Sequence, residues 1–355
     1  MAGDVTFGIS CKVGSINLFL VKKTMGITFN ALFVSQADGS FTREIRQVSV
    51  DELPENDILI KVSYSSLNYK DALSASGNKG VTRKFPHIPG IDAAGIVAKS
   101  NSPEFPEGTA VLVTGFDLGM NTWGGFGQYI SVPAKWVIVL PENLSLKEAM
   151  NFGTAGLTAG LSIEKIVQAG IKPEQGPVVI SGATGGVGSM ATAIMSRLGF
   201  AVTAISGKKE DTFIISVLGA AQVLDREEFV EKYNGKPLSS ADFSAGIDNV
   251  GGPILSGILK SVKQNGVITA CGNVASADLS TTVFPFILRG ITLAGIDSAL
   301  APIALRKKIW QSLANEWKPL HLEEMVQEIS LVELPEKLDE LLQGKAKGRY
   351  VLKHE

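Results

Sequence analysis

Between Phe29 and about Leu140, apolar residues alternate with polar ones or form short runs separated by proline, glycine, aspartate and asparagine. Segments such as NALFV, ILIKVSY and QYISVPAKWVIVLP follow this pattern, with no long helical stretch between them. Strands at such close spacing predict a small β-rich domain, antiparallel or barrel-like. Residues 1–28 hold one short apolar run without the layout of a signal peptide, and we expect them to be an extension outside the fold.

The pattern becomes helical in the segment LSLKEAMNFGTAGLTAGLSIEKIVQAG, which Ser145 precedes as a candidate N-cap. From Val178 to about Asp297, short apolar runs alternate with helical segments. Such alternation predicts βα units and a doubly wound parallel sheet.

Two helical segments, 301–317 and 334–343, and a last strand, GRYVLK, complete the chain. The whole pattern predicts an α/β fold in which the doubly wound sheet is inserted into the β domain. The expected division is an extension at 1–28, the first part of the β domain at 29–150, the doubly wound domain at 151–295 and the C-terminal part of the β domain at 296–355.

The segment VVISGATGGVG (178–188) is the strongest chemical signal in the chain. A short apolar run leads into Gly182, Gly185 and Gly188, and a small-residue helix follows. Such glycines permit a sharp turn close to a ligand, and the helix N-terminus offers free N–H groups to a pyrophosphate. The spacing differs from GxGxxG, so the glycines alone leave an ordinary strand–helix turn as the alternative. The surrounding βα units favour a dinucleotide-binding turn.

The next predicted strand ends in Ser206-Gly207-Lys208-Lys209, about 20 residues beyond the glycines. An NAD-binding protein places an acid there for the ribose hydroxyls, but a hydroxyl and two cations stand here instead. A carboxylate would repel a 2′-phosphate, whereas Ser206 and Lys208 would bind it. The sequence therefore favours NADPH, and a solvated charged turn is the alternative.

Composition narrows the class of protein further. The chain has 355 residues, 45% of them hydrophobic, with 38 glycines and a net charge of −2. This length allows two domains, and the balanced charge gives no attraction to nucleic acid or to a membrane surface. The two cysteines, Cys11 and Cys271, form neither a disulfide framework nor a zinc spacing, and a cytoplasmic location fits them.

Taken together, the motifs resemble those of the medium-chain dehydrogenase/reductase superfamily from Phe29 to the C-terminus. Within it, the chain is most similar to the zinc-free quinone oxidoreductase-like branch and its acrylyl-CoA reductase (NADPH) subgroup. The segments that carry the resemblance are SSLNYKDAL (65–73), FPHIPGIDAAGIV (85–97), NTWGGFGQYISV (121–132), GTAGLTA (153–159), SGATGGVGS (181–189), ISGKKE (205–210), FPFILRGITLAGIDS (284–298) and KGRYVL (347–352). The resemblance implies a GroES-like catalytic domain, a Rossmann cofactor domain and a homodimer.

Zinc-dependent members of this superfamily carry a Cys near position 68 and a His-Glu pair after the glycine at 90. This chain has Asn68-Tyr69 and Gly90-Ile91-Asp92 at those places, and no cysteine lies between Cys11 and Cys271. Without soft ligands a catalytic zinc site is not viable, so we expect no metal. The resemblance then implies NADPH-dependent reduction of an activated double bond, as in a 2-enoyl thioester.

The resemblance also assigns individual residues. Tyr69 and Asp71 are the expected catalytic residues, with the Tyr69 hydroxyl serving an enolate oxygen or the α-carbon proton and Asp71 orienting a partner. The alternative is that Tyr69 packs as a cleft wall and Asp71 caps a helix. The expected cofactor contacts are Asn68, Val187, Gly188, Ser189, Ser206, Lys208, Arg226, Asn273, Arg289 and Arg349; for Arg226, Arg289 and Arg349 a surface charge is the alternative.

Two other functions stay open at this point. A quinone or alkenal reductase would use the same hydride donor on a small electrophile. A weakly catalytic NADPH-binding protein with a structural or regulatory role would be a different class of protein.

Overall fold

The computed structural model describes residues 26–208 and 210–355. Short strands build the first part of the chain, as the alternating pattern predicts. They are β1 Thr28–Ala37, β2 Ser40–Ser49, β3 Ile58–Ser66, β4 Asp92–Ser100, β5 Ala110–Thr114, β6 Tyr129–Val132 and β7 Ile138–Val139, with the helix α1 Tyr69–Ala75 between β3 and β4. Thr28 already pairs with Ser49 across the β1–β2 ribbon, so the fold begins before the predicted limit at residue 28. The rest of the predicted extension, residues 1–25, lies outside the described residues.

The middle of the chain forms the doubly wound sheet. Its strands are β8 Val178–Ser181, β9 Val202–Ile205, β10 Gln222–Leu224, β11 Phe243–Asp248, β12 Val262–Ala270 and β13 Thr292–Gly295. Its helices are α2 Leu146–Gln168, α3 Gly186–Arg197, α4 Phe213–Ser216, α5 Arg226–Asn234, α6 Gly252–Ser261 and α7 Phe284–Arg289. All neighbours are parallel, in the order β10-β9-β8-β11-β12-β13. The carboxyl ends of the strands therefore lie at one edge, where such sheets bind ligands.

The C-terminal segment returns to the first domain. It consists of α8 Ile303–Ala314, β14 Val326–Ile329, α9 Leu334–Leu342 and β15 Arg349–Lys353. Strand β15 pairs antiparallel with β3 and parallel with β14, in a sheet ordered β14-β15-β3-β4-β5-β7 with β6 also on β3. We keep the four-part division of the chain as a proposal, with the boundary expected at residue 150 falling inside α2.

Helix α2 joins the two domains. Buried side chains of α2 share one hydrophobic cluster with α3, α8 and β15, for example Leu157, Ile194, Trp310 and Val351. Burying this much apolar surface from both domains against one helix fixes their relative position. None of the described helices is long and apolar enough to cross a membrane.

Candidate functional site

The backbone of the turn between β8 and α3 accepts only glycine at two positions. Gly182 has a φ of +62°, and a Cβ at Gly188 would lie 2.1 Å from the Gly182 carbonyl oxygen, so the turn requires glycine at both positions. Helix α3 begins at Gly186, with Gly185 as N-cap. The N–H groups of Gly186, Val187 and Gly188 belong to the first turn, which has no intrahelical acceptor for them. They form the part of the site that fits a pyrophosphate.

Ser189 follows these three residues in α3. It is fully buried, its N–H donates to the Gly185 carbonyl at 2.9 Å, and its hydroxyl donates to the Gly186 carbonyl at 3.1 Å. Both donors are used inside the helix here, and the contact of Ser189 with the pyrophosphate stays a prediction. The hydroxyl stabilises the first turn of α3.

Arg349 lies directly against this turn although it comes from the far end of the chain. It is the first residue of β15 and is 4% exposed, and a Cβ at Gly186 would lie 2.9 Å from its Nη1. Nη1 donates to the Leu67 carbonyl at 3.2 Å and to Asn68 Oδ1 at 3.3 Å. Its Nε and Nη2 are buried and have no hydrogen-bond partner among the described residues.

Two unpaired donors on a buried cation are costly unless a ligand fills them. Burial lowers the pKa of Arg349, while the carboxylates of Asp92 and Asp71 act in the opposite direction. Its Nη1 is the guanidinium nitrogen nearest Gly186 at the start of α3, whereas Nη2 lies toward Gly153, where an added Cβ would be 2.8 Å from it. Arg349 and the α3 N-terminus therefore fit a dinucleotide, and they come from opposite domains.

Asp92 is the centre of the hydrogen-bond network beneath Arg349. Its Oδ2 accepts from Ser66 Oγ at 2.5 Å, Asn68 Nδ2 at 2.8 Å and Thr154 N at 2.8 Å, and its Oδ1 accepts from Thr154 Oγ1 at 2.5 Å. The Thr154 N–H is available because α2 is broken at Gly153, which has a φ of +52°. A Cβ there would lie 2.1 Å from Ser66 Oγ, so only glycine fits.

Asp71 is a positioning residue rather than a group that meets substrate. It is fully buried, and it accepts hydrogen bonds from Asn68 N at 2.8 Å, Asn68 Nδ2 at 3.3 Å and Ile91 N at 2.8 Å. Burial, with the nearby charge of Asp92, raises its pKa to about 7. The carboxylate closes a capping box at the start of α1, the role given above as the alternative for Asp71, and it ties that helix to the Ile91 backbone.

Tyr69 stays a candidate catalytic donor. It is the first residue of α1 and is 55% exposed. Its neighbour on one side, Asn68, is half-buried and contacts both Arg349 and Asp92, while Lys70 on the other side lines a cavity. Tyr69 therefore lies between the proposed cofactor contacts and the open part of the cleft.

The three residues predicted to bind a 2′-phosphate lie close together. Ser206 follows β9 and is buried, and its hydroxyl accepts from the Lys208 N–H at 3.0 Å. The exposed Arg226 begins α5, and a Cβ at Gly207 would lie 3.2 Å from its guanidinium carbon. The loop thus brings a hydroxyl and two cations to the carboxyl edge of the sheet.

A cavity of about 640 Å³ opens at the carboxyl ends of β12 and β13. It is lined by Cys271, Asn273, Ile296 and Asp297 among others. Asn273 is exposed on the loop after β12, and the contact of its backbone with a nicotinamide stays a prediction. Burial, with the nearby charge of Asp248, raises the pKa of Cys271 to about 12, so its thiol stays protonated.

Arg289 lies elsewhere. Its guanidinium donates to the carbonyls of Lys260 at 2.8 Å and Val262 at 3.0 Å, and also to the Ser239 carbonyl. These carbonyls lie at the amino ends of β11 and β12, at the opposite edge from the glycine turn. The expectation that Arg289 is a cofactor or cleft cation is wrong; it joins two loops of the doubly wound sheet.

Among the described residues, no group of three or more His, Cys, Asp or Glu side chains could hold a metal ion. Metal independence stays a prediction. The residues that the sequence interpretation missed are Ser66, Gly153, Thr154 and the full role of Asp92. The only sequence feature that pointed to these residues was the acid, Asp92, inside the apolar run IPGIDAAGIV. A carboxylate buried there needs several hydrogen-bond donors, and Ser66 and Thr154 supply them.

Comparisons with known proteins place this geometry in a family. The description "Alcohol dehydrogenase GroES-like domain" matches residues 54–142, and "Zinc-binding dehydrogenase" matches residues 186–314. The acrylyl-CoA reductase AcuI of Ruegeria pomeroyi is 39% identical, over 91% of this chain and 98% of its own. A crystal structure of the yhdH oxidoreductase from Salmonella enterica in complex with NADP has a TM-score of 0.88 at 39% identity, over 92% of this chain and all of that one.

The putative quinone oxidoreductase YhfP of Bacillus subtilis is equally similar. It is 40% identical over 93% of this chain and 100% of its own. Its crystal structure with NAD bound has a TM-score of 0.89 and the same coverage. The relatives therefore differ from one another in the nucleotide bound and in the activity named.

Proposed function

This chain is an oxidoreductase of the medium-chain dehydrogenase/reductase superfamily, and from that membership we propose that it uses NADPH, without a metal, to reduce the double bond of a 2-enoyl thioester such as acrylyl-CoA. The observation that carries the proposal is the donor set of the cleft. Asn68 and Ile91 stand where the superfamily's zinc enzymes place soft ligands, while Asp92 is already saturated by four donors. Such a site suits a substrate whose double bond is activated by its own thioester carbonyl rather than by a metal ion.

The chain's residues have separate roles in this proposal. Val187, Gly188 and Arg349 hold the pyrophosphate, and bound NADPH supplies a hydride to the β-carbon of the substrate. As negative charge develops on the thioester oxygen, the Tyr69 hydroxyl donates a hydrogen bond to it or provides the proton for the α-carbon. Asn68 and Asp71 keep the start of α1, and with it Tyr69, in place. We place the enzyme in the cytoplasm.

The assay that tests this function follows NADPH oxidation with acrylyl-CoA, with a simple quinone and with no acceptor. We expect rapid turnover with acrylyl-CoA only. Preference for the quinone would favour a quinone or alkenal reductase, which the name of YhfP supports. NADPH binding without turnover of any acceptor would favour a structural or regulatory protein.

Lys208→Ala tests the choice of nucleotide. Because Ser206, Lys208 and Arg226 surround the proposed 2′-phosphate site, the wild-type enzyme should prefer NADPH over NADH by at least about tenfold, or about 1.4 kcal/mol. The substitution should weaken NADPH binding and leave NADH binding nearly unchanged, as measured by titration with each nucleotide. An equal loss for both would show that Lys208 does not recognise the 2′-phosphate.

We also propose that the enzyme is a homodimer. Strand β13 is an edge of the doubly wound sheet, and large exposed apolar side chains cluster on the neighbouring α7 and the loop before it. They include Val283, Phe284, Ile287 and Leu288. An unpaired edge beside an apolar surface suits self-pairing about a two-fold axis, because the same strand and helix then cover each other.

Ile287→Glu tests this interface. Ile287 is 67% exposed in the single chain, so the substitution should leave the fold intact but place a charge in the covered surface. Light scattering should report twice 37.6 kDa for the wild-type protein and a monomer for the variant. Leu320→Glu, at a similarly exposed site outside this surface, is the control. A wild-type monomer would refute the proposal.

A further inference from the structure

A second cavity, of about 620 Å³, lies on the other side of the cleft and meets the first one at Asp297. Its lining combines apolar and aromatic side chains with two lysines. The members that matter here are Lys70, Phe116, Lys135, Trp136 and Leu300. We name it the aromatic–lysine cavity, and neither the cofactor contacts nor the proposed chemical step uses it.

The aromatic wall of this cavity is held rigidly. The rings of Phe116 and Trp136 stack with centroids 5.6 Å apart and planes within 3° of each other. Phe116 has a φ of +54°, which is rare for a bulky residue and persists only where the surroundings impose it. Its N–H donates to the Ala299 carbonyl at 2.9 Å, which fixes the wall to the loop after β13.

Arg306 packs against the Phe116 ring and links it to the neighbouring backbone. It is fully buried, its guanidinium carbon lies 4.2 Å from the Phe116 ring centroid, and it donates to the carbonyls of Thr114, Ser298 and Ala299 at 2.6–2.7 Å. Its Nε also donates to the Ala301 carbonyl at 2.9 Å, so four backbone carbonyls hold the guanidinium and link the end of β5 to the loop after β13. The cavity is thus preformed.

The cavity lining carries two lysines and two aspartates. Asp297 is exposed and accepts from the Ala299 and Leu300 N–H groups, and Asp117 accepts from the side chains of Asn121 and Thr122. Lys135 is exposed at the rim, and Lys70 is half-buried. Neither lysine forms an ion pair with another part of the described chain. Because the two aspartates accept from neighbouring N–H, amide and hydroxyl groups rather than from these lysines, both ammonium groups remain available to a phosphate.

We propose that the aromatic–lysine cavity holds the pantetheine arm of a coenzyme A thioester, with Lys135 and Lys70 attracting its phosphates at the rim. This inference rests on the proposed function and adds a specificity site to it. If the thioester group reacts in the cavity that contains Asn273, the rest of the coenzyme A molecule must extend into an adjoining space. The aromatic–lysine cavity is such a space, because the two cavities share Asp297 in their linings. The apolar wall suits the arm, and the rim suits the phosphates.

Lys135→Glu separates this site from the catalytic machinery, since Lys135 is exposed and touches none of the proposed reacting groups. The probes are coenzyme A and pantetheine, titrated by calorimetry into enzyme saturated with NADP⁺. For the wild-type enzyme we expect coenzyme A to bind at least tenfold more tightly than pantetheine. Lys135→Glu should weaken coenzyme A binding about threefold or more and leave pantetheine binding unchanged, as expected for reversing one rim charge.

Lys99→Glu is the matched control, because Lys99 is equally exposed on β4, seven residues along the strand from Asp92. The control should bind both probes like wild type. Equal weakening in both variants, or no weakening in Lys135→Glu, would overturn the proposal. Acrylyl-CoA turnover is measured in parallel. If the enzyme turns over acrylyl-CoA but coenzyme A binding does not depend on Lys135, the proposed function stands and the proposed coenzyme A site is rejected. If coenzyme A binding depends on Lys135 but acrylyl-CoA is not turned over, the site stands and the proposed function is rejected.

Discussion

A Tyr69→Phe enzyme is expected to reduce acrylyl-CoA with a kcat at least about 10²-fold below that of the wild-type enzyme, the usual scale for losing one proton donor or one oxyanion donor. The substitution keeps the ring and removes only the hydroxyl. Tyr69 begins α1 between Asn68 and Lys70, its side chain is 55% exposed, and in the proposed function its hydroxyl serves the thioester oxygen or the α-carbon. Single-turnover kinetics at saturating NADPH would measure the chemical step directly.

Two further results make this prediction specific. The affinity for NADPH should barely change, because the proposed cofactor contacts are the α3 N-terminus and Arg349 rather than the phenol. Tyr129→Phe is the control, since Tyr129 packs its ring against Phe29 in the β domain. A Tyr69→Phe enzyme with near-normal kcat would show that water or another group supplies the proton, and Tyr69 would become a packing or cofactor-contact residue.

Arg349→Lys should raise the dissociation constant for NADPH about 10- to 100-fold, which corresponds to losing a charged hydrogen bond of about 1.5–3 kcal/mol. The Arg349 guanidinium lies against Gly186 at the start of α3, with Nη1 as the nearest nitrogen, so its positive charge is next to the proposed pyrophosphate site. Lysine retains the positive charge near Asp71 and Asp92 but has no planar guanidinium group to reach the phosphate from two sides. NADPH fluorescence titration would measure the change.

Arg289→Lys is the matched control for this experiment. Arg289 also uses its guanidinium inside the protein, but it donates to three backbone carbonyls at the opposite edge of the sheet. Its substitution should lower thermal stability without a comparable effect on NADPH affinity. Equal loss of affinity in both variants would mean that Arg349 acts only through stability, and unchanged affinity in Arg349→Lys would remove it from the cofactor site.

Local pattern was enough to predict the parts of this site that depend on neighbouring residues. The glycine turn follows from an apolar strand and the residues directly after it, and the loop at Ser206 and Lys208 follows from its distance to that turn. The same logic predicted the β domain from alternation and the doubly wound sheet from repeated βα units. In each case the physical cause lies within a few residues of the signal.

Hydrogen-bond partners far apart in the chain could not be predicted in this way. Arg289 is the last residue of an apolar helix, yet its acceptors precede it by 27 to 50 positions. Ser189 sits in the expected motif, but the first turn of its own helix uses its donors. Asp71 stands next to the reacting region and still points into the protein, because the start of α1 and Ile91 need an acceptor there.

The aromatic–lysine cavity illustrates the same limit on a larger scale. Phe116, Trp136 and Leu300 come from three separate loops, and Arg306 brings two of those loops together. No periodic pattern marks these residues. Their common location follows from the return of the C-terminal segment to the first sheet.

The most direct test of the account is to follow deuterium from NADPH that carries it at both C4 positions. With acrylyl-CoA in ordinary water, mass spectrometry should find propionyl-CoA with one deuterium at the β-carbon and a proton from water at the α-carbon. Oxidation of NADPH without labelled propionyl-CoA, or label at the α-carbon, would contradict the proposed reduction of an activated double bond.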